Sequence, residues 1–318
     1  MVIVNPTSAG GRGRHVRGPL EATLESRGLQ YRLVETEGVG HAAELALQCV
    51  EQGEVERILV AGGDGTLHEV ANGLLATGPR EDLPVLAVLP VGTGNDFHRM
   101  VGGDRRVESA VALLETGRVR RFDVGRVRWD DGERYFVNLM GVGIDVELLK
   151  RRRAFERLPG LLQYFAALAS ALAHFDPLPL RVVLEPGSDG CGAEGPGSEV
   201  MEARSMLSAI TVGPSVGGGF LLSPGAVPED GLLDLCFVEA MGPFAIAKNL
   251  PKVLRGTHGS AREVRLRRLK RACVAAPDRR PLSFELDGEL VSETTRSLSV
   301  EVVPGVLPVL RSPTDSDG

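Results

Sequence analysis

The chain has 318 residues, of which 43% are hydrophobic and 25% are charged, a composition typical of a soluble globular protein. This length is generous for one hydrophobic core and favours two domains. The formal net charge of -6 argues against a dedicated nucleic-acid-binding protein, which would normally be basic.

Strand-like and helix-like patterns alternate over residues 1–124. Short apolar runs indicate strands, and apolar side chains at helical spacing indicate helices. Because parallel strands need crossover connections, this region is predicted to form an α/β domain, a mostly parallel sheet with helices on both faces. The predicted strands are 2–4, 31–36, 57–63 and 83–92, and the predicted helices are 16–27, 41–53 and 66–78.

The pattern changes after Asp123. From there the chain consists of short β-rich segments separated by turn residues, which predicts a mostly antiparallel β-sandwich or barrel. We therefore expect an α/β domain at 1–124 and a β-rich domain at 125–302, with 303–311 able to return to the first domain. The tail 312–318 is predicted to be disordered.

The four cysteines lie far apart and form no CxxC pair, so we expect buried or free thiols in a reducing cytoplasm. The opening MVIVNP predicts a first strand rather than a signal peptide. The most apolar long stretch, 158–175, is interrupted by Pro159 and by polar residues, and is not predicted to span a membrane. Any membrane contact is therefore expected at the membrane surface.

Residues 60–73 read VAGGDGTLHEVANG and place three glycines and an acid where a strand gives way to a helix. Glycines let the chain turn sharply and let a ligand approach the main chain, and the N–H groups of a helix N-terminus favour an anion. Thr66 is predicted to cap the helix. Asp64 fits a phosphate site if a divalent cation lies between them, and a tight turn with an aspartate cap is the alternative.

Two further loops follow predicted strands. LPVGTGNDFHR at 89–99 offers N–H groups, a hydroxyl and an acid, and NPTSAGGRGR at 5–14 adds glycines and arginines. Because ligands of open parallel sheets bind at the carboxyl ends of the strands, the three loops together predict a nucleotide cradle.

NPTSAGGRG, GGDGTLHEV and LPVGTGNDF, in this order and spacing, resemble the catalytic domain of the diacylglycerol kinase family. That family includes bacterial diacylglycerol and related lipid kinases, sphingosine kinases and ceramide kinases. The resemblance continues in FDVG at 122–125, in GPSVGGGFLLSPGAVPEDGLLDL at 213–235 and in ELDGE at 285–289, and so spans nearly the whole chain. GGDGT alone is less specific, because NAD kinases and phosphofructokinases carry similar turns.

The resemblance implies that ATP lies in the cleft between the domains, with its phosphates over the GGDGT turn, and that Mg²⁺ is the cofactor. The implied metal network is Asp64, Asp96 and Asp123, in keeping with the cost of clustered carboxylates that no cation neutralises. A helix cap is the alternative for Asp96, and a turn is the alternative for Asp123. The implied nucleotide-binding residues are Asn5, Pro6, Ser8, Ala9, Thr36, Gly62, Gly63, Asp64, Gly65, Thr66, Leu67, Thr93 and Asn95.

The resemblance also implies that ELDGE carries the catalytic base. Asp287 and Glu289 are both candidates, Asp64 is the third predicted catalytic residue, and Gly288 predicts a tight turn between the two candidates. A positioned carboxylate that removes a proton from a lipid hydroxyl contributes roughly 10²- to 10⁴-fold in rate. The alternative for this motif is an acidic hairpin turn.

EDGLLDL at 229–235 resembles the structural Mg²⁺ site of the family. Its ligands would be the side chain of Asp230 and the carbonyl groups of Val227 and Leu232. An ordinary Asp-Gly turn is the alternative.

Residues 150–175 are a candidate for membrane contact. KRRR at 150–153 precedes an apolar stretch with helical spacing, a combination that suits an anionic bilayer surface. The same pattern suits a solvated turn before a core helix, and both interpretations stay open.

We therefore predict an ATP- and Mg²⁺-dependent lipid kinase that transfers the γ-phosphoryl group to a lipid hydroxyl, with diacylglycerol giving phosphatidic acid as the first hypothesis. The alternatives are a sphingosine- or ceramide-type kinase, an NAD kinase-like enzyme, and a nucleotide- or lipid-binding protein without catalysis. The expected partners are ATP and a lipid at the membrane surface, without nucleic acid, and an exposed sheet edge would permit a homodimer. The expected location is the cytoplasm, with peripheral association with the inner membrane face.

Overall fold

The computed structural model describes residues 1–155, 161–187, 191 and 193–312, without the side chains of 152, 153, 161–165 and 243. The chain divides into two units, Met1–Val124 with Pro304–Gly318, and Gly125–Val303. Apart from Ser312, the tail that is predicted to be disordered lies outside the described residues.

The first unit has the predicted α/β architecture. Its strands are β1 (Val2–Val4), β2 (Leu33–Glu35), β3 (Arg57–Gly62) and β4 (Val85–Pro90). Its helices are α1 (Ser8–Gly11), α2 (Arg17–Ser26), α3 (His41–Gln52), α4 (Asp64–Leu74), α5 (Asp96–Val101) and α6 (Val107–Thr116). The strands pair in parallel in the order β2-β1-β3-β4, and the end of the last strand, β15 (Ser297–Arg311), lies parallel to β4.

The strands of this sheet are buried because helices cover them. All of β3 after Arg57 and all of β4 after Val85 is buried, as expected for parallel strands with helices on both faces. The two strands also end in register, with Gly62 opposite Pro90. The loops that follow them, which are the two glycine-rich motifs, therefore begin side by side.

The second unit is mostly antiparallel, also as predicted. Its strands are the second part of β5 (Arg118–Trp129), β6 (Gly132–Phe136), β7 (Leu139–Gly143), β8 (Leu178–Leu184), β9 (Glu199–Thr211), β10 (Leu233–Glu239), β11 (Val264–Leu269), β12 (Arg271–Ala275), β13 (Leu282–Leu286), β14 (Glu289–Thr295) and the first part of β15. Its helices are α7 (Ile144–Arg152), α8 (Leu161–His174) and α9 (Pro243–Leu254). Short 3₁₀ turns lie at Arg153–Phe155 and His258–Ser260 in this unit, and at Arg12–His15 in the first unit.

The long strand β9 organises this unit. It pairs in antiparallel fashion with β7, with β8 and with β10. β13 pairs with β7 and with β14, so the ELDGE hairpin is attached to the same sheet through β7. Its core contains Phe136, Phe237 and Phe284, none of which is exposed.

A disulfide joins Cys191, in the segment before β9, to Cys273 in β12. Their Cα atoms lie 5.3 Å apart although 82 positions separate them in sequence. The prediction of thiols is therefore wrong for these two cysteines, because their separation in the sequence hides their proximity in the fold. Cys49 and Cys236 are free and buried, as expected.

The described part of 150–175 favours the core-helix interpretation. Leu168, Leu172 and Phe175 pack against a buried cluster that includes Ile144 and Met206. Lys150 pairs with Glu293 at 3.1 Å and Arg151 with Glu147 at 2.5 Å, so these two cations are already paired with acids. Among the described helices, none has the length and apolarity needed to cross a bilayer.

Candidate active site

The β3–α4 turn, residues 62–66, carries the GGDGT motif. β3 ends at Gly62 and α4 begins at Asp64, with Gly63 as an extended N-cap and no side-chain capping bond. The prediction that Thr66 caps α4 is therefore wrong: Thr66 lies inside the first turn, where its Oγ1 accepts a hydrogen bond from Asn5 Nδ2 at 2.8 Å. The threonine thus joins this turn to the first glycine-rich loop.

Gly63 and Gly92 bring the two turns into main-chain contact. A Cβ atom on Gly92 would lie 2.6 Å from the Cα of Gly63 and 2.8 Å from Asn95 Oδ1. Non-bonded carbon atoms normally stay about 3.5–4.0 Å apart, so no side chain fits at Gly92. The sequence analysis explained these glycines by the close approach of a ligand. The contact between the two loops is a second reason why a side chain is excluded here.

The first turn of α4 limits which groups can meet a phosphate. Leu67 is buried, and its N–H donates to Gly63 O at 3.1 Å, so this helix bond uses the donor. The N–H groups that precede it, from Gly63 to Thr66, are those that an α-helix leaves without a partner within the helix. A bound anion would therefore accept hydrogen bonds from the N–H groups of Gly63 to Thr66, and not from that of Leu67.

The β4–α5 loop, residues 91–95, is held by Asn95. This residue has a left-handed backbone (φ 55°), and its Nδ2 donates to Gly92 O at 2.7 Å. Its Oδ1 is buried and has no hydrogen-bond partner among the described residues. Thr93 is exposed. The loop therefore exposes one hydroxyl, at Thr93, and keeps one amide oxygen, at Asn95, buried without a described partner.

The first loop, after β1, bends sharply at Ala9 and Gly10, which both have left-handed backbone dihedrals. Successive N–H groups in such bends form concavities that bind anions. Asn5 fixes the start of the loop, because its Oδ1 accepts from Thr7 N at 3.0 Å and from Thr7 Oγ1 at 2.8 Å. Pro6 and Ser8 are half-buried here. At the end of β2, the N–H of the buried Thr36 donates to Val4 O at 2.8 Å.

Each of the three predicted metal-network acids is fixed by a partner within the first unit. Asp64 Oδ1 accepts from Phe97 N at 3.2 Å, and buried Asp96 pairs with Arg99 at 3.1 Å. Buried Asp123 lies within β5, not at a turn, and its Oδ1 accepts from Gly305 N at 2.7 Å. Within the described ranges, no group of three or more His, Cys, Asp or Glu side chains is arranged to hold a metal.

In the second unit, ELDGE forms the predicted tight turn. Asp287 (φ 49°) and Gly288 (φ 88°) connect β13 to β14 with two successive left-handed residues, the requirement of a two-residue type I′ hairpin. Asp287 is buried, and both of its carboxylate oxygens accept backbone bonds. Its Oδ2 accepts from Val137 N, and its Oδ1 accepts from Asn138 N and Leu139 N, each at 2.8 Å.

Glu289, the other base candidate, is more exposed than Asp287. Its side chain is 36% exposed, and its Oε2 lies 4.0 Å from Arg134 Nη1. The two candidates that the sequence could not separate therefore have different environments. Asp287 anchors the chain between β6 and β7, whereas Glu289 remains open to solvent.

A pair of buried acids beneath this turn was missed by the sequence analysis. A Cβ atom on Gly141 would lie 1.5 Å from Asp145 Oδ2 and 3.0 Å from Glu285 Oε1, so both carboxyl groups lie over this glycine. Glu285 Oε2 accepts from Gly288 N at 2.7 Å and so holds the turn. The one available signal was the alternation of β13, which places Glu285 opposite Gly141 only once the register with β7 is known.

Burial raises the pKa of Asp145 to about 7. Burial, followed by the nearby charge of Asp145, also raises the pKa of Glu285 well above its ordinary value. Two carboxyl groups in one buried site cannot both ionise cheaply, so at neutral pH the pair retains a proton. Asp145 Oδ1 accepts from Val146 N at 2.9 Å, while its Oδ2 is buried without a hydrogen-bond partner among the described residues.

The predicted structural metal site has the geometry of an Asp-Gly turn. Asp230 Oδ1 accepts from Leu232 N at 3.1 Å, Gly231 has φ 74°, and Asp230 Oδ2 pairs with Arg268. A guanidinium therefore already neutralises the carboxylate that was expected to bind an ion. Val227 is exposed.

Two family models match the chain: the diacylglycerol kinase catalytic domain over residues 1–127, and the YegS C-terminal NAD kinase beta sandwich-like domain over residues 138–311. A diacylglycerol kinase of Bacillus subtilis (strain 168) is 30% identical over 293 residues, which cover 91% of this chain and 88% of that protein. The chain belongs to the diacylglycerol kinase family. As a member of this family it is a kinase, and the resemblance stated from its motifs is confirmed.

Other members of the diacylglycerol kinase family match over similar lengths. A diacylglycerol kinase of Mycobacterium tuberculosis (strain H37Rv) is 28% identical over 97% of this chain and 94% of its own length. A probable YegS-like lipid kinase of Xanthomonas oryzae is 30% identical over 90% of this chain and 88% of its own. A solved putative diacylglycerol kinase from Bacillus anthracis has the same fold, with a TM-score of 0.75, 22% identity, and coverage of 98% and 97% of the two chains.

Proposed function

We propose that this lipid kinase transfers the γ-phosphoryl group of ATP to the free hydroxyl of a diacylglycerol, giving phosphatidic acid. The observation that carries the proposal is the β3–α4 turn, where a helix N-terminus follows a buried strand and a second glycine-rich loop lies against it. The names of the relatives support the lipid class and make diacylglycerol the first choice among its members.

The phosphates are assigned to the N–H groups of the β3–α4 turn. The N-terminus of α4 provides N–H groups that the helix itself does not bond and the positive end of the helix dipole, both of which favour a phosphate. The Asn5–Thr66 hydrogen bond ties the first loop to this turn, and the Gly63–Gly92 contact ties the third. The three loops can therefore act on one ligand as a connected set, with Thr93, Thr36 and Ser8 as further candidates.

Mg²⁺ is assigned to the same unit, next to Asp64. Mg²⁺ usually keeps several waters and binds through one or two carboxylates together with substrate phosphates. Asp64, Asp96 and Asp123 offer carboxylate oxygens in this unit, and an ion held mainly by ATP phosphates and water would need only one or two of them rather than an enclosing group of three acids. When bound with ATP, the ion would neutralise charge on the phosphates.

We assign the general base to Glu289. Both oxygens of Asp287 already accept main-chain bonds, so protonating Asp287 would disrupt the chain between β6 and β7. Glu289 can accept the proton of the lipid hydroxyl while the hydroxyl oxygen bonds to the γ-phosphorus. The bond between the γ-phosphorus and the bridging oxygen breaks, and ADP leaves. Asp287 and Glu285 then act as positioning residues for the hairpin that carries Glu289.

The test is a transfer assay with purified protein, Mg²⁺ and ATP labelled at the γ-phosphate. Diacylglycerol, sphingosine, ceramide and NAD are offered separately, and label in phosphatidic acid is the expected result. Label in NADP alone would refute the lipid assignment, whereas label in a sphingoid or ceramide product would refute only the diacylglycerol assignment.

A matched pair of variants tests the site. Asp64→Asn keeps an oxygen acceptor for Phe97 N but removes the charge, and is expected to lose at least roughly 10²-fold in kcat if the charge acts on the phosphates. Asp82→Asn changes an exposed acid that forms an ion pair with Arg80 in the same loop, and should match the parent protein. Equal turnover by the two variants would remove Asp64 from the mechanism.

A further inference from the structure

Helix α9 has two chemically different faces. Its inner face includes Ile246, which packs with Met241 against the buried cluster of Ile144 and Met206, and Asn249, which is buried. The helix is therefore firmly seated in the second unit. The sequence analysis did not predict this helix, which contains Pro251.

The outer face of α9 exposes apolar side chains. Phe244 is 86% exposed and Leu254 is 41% exposed, and between them Ala247 and Pro251 are exposed as well. These four residues lie at spacings of three or four along the helix, so they share one side of it. A phenylalanine side chain with this exposure buries little apolar surface and so contributes little to the stability of the fold. We call this set with its flanking cations the α9 face.

The flanking cations of the α9 face are Lys248, Lys252 and Arg255. None of them takes part in an ion pair with the residues that the structure describes, unlike Lys150 and Arg151. The sequence holds no Asp or Glu between Glu239 and Glu263. The helix therefore presents positive charge beside an apolar stripe in a chain whose formal net charge is -6.

We propose that the α9 face is the docking surface of this kinase for an anionic phospholipid bilayer. Interfacial helices bind bilayers by burying an apolar stripe with aromatic residues while basic side chains contact anionic headgroups, and the α9 face has both parts. The inference builds on the proposed action on a membrane lipid, but it concerns binding and can be measured without turnover.

The positive charge of the α9 face favours an anionic bilayer as its binding partner over a second copy of the chain. A two-fold dimer built on the α9 face would bring the three cations of both copies to one interface, where α9 supplies no acid to neutralise them, and they would repel each other. An anionic bilayer instead supplies the complementary charge. The basic cluster at 150–153 is less suited to this role, because Lys150 and Arg151 are paired and the described apolar residues of α8 pack inward.

The first experiment measures sedimentation of the full chain with vesicles of phosphatidylglycerol and phosphatidylcholine in equal parts, and with phosphatidylcholine alone. The parent protein is expected to prefer the anionic vesicles, and added salt is expected to reduce binding. Phe244→Ser should lower the partition coefficient by about tenfold or more. Joint replacement of the three cations by Glu should abolish the preference, at roughly fivefold for each cation removed.

Matched controls come from the first unit. Val39→Ser removes an apolar side chain that is 96% exposed, and joint replacement of exposed Arg32, Arg105 and Arg118 by Glu changes the net charge by the same amount. Both controls should bind like the parent protein. The proposal is overturned if Phe244→Ser binds as well as the parent, or if each control loses as much binding as its α9 counterpart.

A second measurement places Phe244 directly. Phe244→Trp should gain fluorescence quenching by brominated lipid in anionic vesicles, while Trp129, the single native tryptophan, serves as the internal reference. If the protein binds the vesicles but the fluorescence of neither tryptophan is quenched, another surface makes the contact. A concentration-dependent dimer that Phe244→Ser abolishes would identify a second copy as the occupant instead.

Turnover distinguishes failure of this inference from failure of the proposed function. Phe244→Ser should phosphorylate a short-chain diacylglycerol in solution like the parent protein, and lose activity only on long-chain diacylglycerol in anionic vesicles. If the parent protein phosphorylates no diacylglycerol at all, the proposed function fails while the binding data still decide the role of α9.

Discussion

Asp145→Asn is expected to remove the share of the pH dependence of stability that Asp145 contributes to the buried acid pair of the second unit, and to leave the share of Glu285. The asparagine keeps an oxygen to accept from Val146 N, but it cannot ionise. In the parent protein the pKa of Asp145 is raised to about 7 by burial, against an ordinary value of 3.8. The folded chain therefore holds a proton that the unfolded chain has already lost.

The sign and size of the change in unfolding free energy follow from the difference between the folded and unfolded pKa of Asp145. The contribution of Asp145 to stability is fully present below about pH 4 and is lost as the pH rises through about 7. At about 1.4 kcal/mol for each pKa unit, the contribution of Asp145 that is lost over that range is about 4–5 kcal/mol, and Glu285 adds a loss in the same direction. The variant should lose less, because position 145 can no longer ionise and Glu285 then ionises without the charge of Asp145 beside it. Below pH 4 the two proteins should be of similar stability.

The assay is urea unfolding at a series of pH values, followed by the fluorescence of Trp129. This tryptophan contacts Phe284 at a ring distance of 5.3 Å, one residue from Glu285, so it reports on the unit that contains the pair. Asp131→Asn, at an exposed position in the same unit, is the control. Parallel stability curves for the parent protein and Asp145→Asn between pH 4 and pH 8 would refute the assignment of a shared, proton-holding pair.

Three further predictions follow from contacts described above. Gly92→Ala should destabilise the first unit by about 1–3 kcal/mol, because the new methyl group meets Gly63 and Asn95, whereas Gly18→Ala, where a Cβ atom meets nothing, should be neutral or stabilising in thermal unfolding. Glu289→Gln should lower kcat by roughly 10²- to 10⁴-fold with unchanged urea unfolding, whereas Asp287→Asn should destabilise the second unit by about 1–3 kcal/mol; the reverse pattern would exchange their roles. Joint replacement of Cys191 and Cys273 by Ser should cost about 2–4 kcal/mol in the second unit, and unchanged stability under reducing and oxidising conditions would show that the disulfide does not form in solution.

Local signals in the sequence predicted much of the fold. The alternating apolar and helical runs predicted the parallel sheet of the first unit, because helices that cover both faces leave continuous apolar strands. Gly288 between two acids predicted a tight turn, and the structure forms one at Asp287 and Gly288 with two left-handed residues. In each case the information lies within a few residues.

Features that depend on long-range register were not predictable in this way. Asp145 and Glu285 meet only because β13 pairs with β7 opposite Gly141, and Cys191 meets Cys273 across 82 positions. The glycines at 62 and 63 were interpreted through a ligand, whereas the structure adds Thr66 and Gly92 as neighbours that exclude side chains. A single sequence contains the residues of such contacts but not their pairing.

The contact between Gly63 and Gly92 has a consequence for anyone who diversifies this protein. Two positions that lie 29 apart along the chain are coupled, since a Cβ atom at Gly92 would lie 2.6 Å from the Cα of Gly63 and a Cβ atom at Gly63 would lie 3.1 Å from the Cα of Gly92. Saturation libraries that vary each position alone are expected to return glycine at 92, and to accept a side chain at 63 only where the backbone at 92 shifts by a few tenths of an ångström.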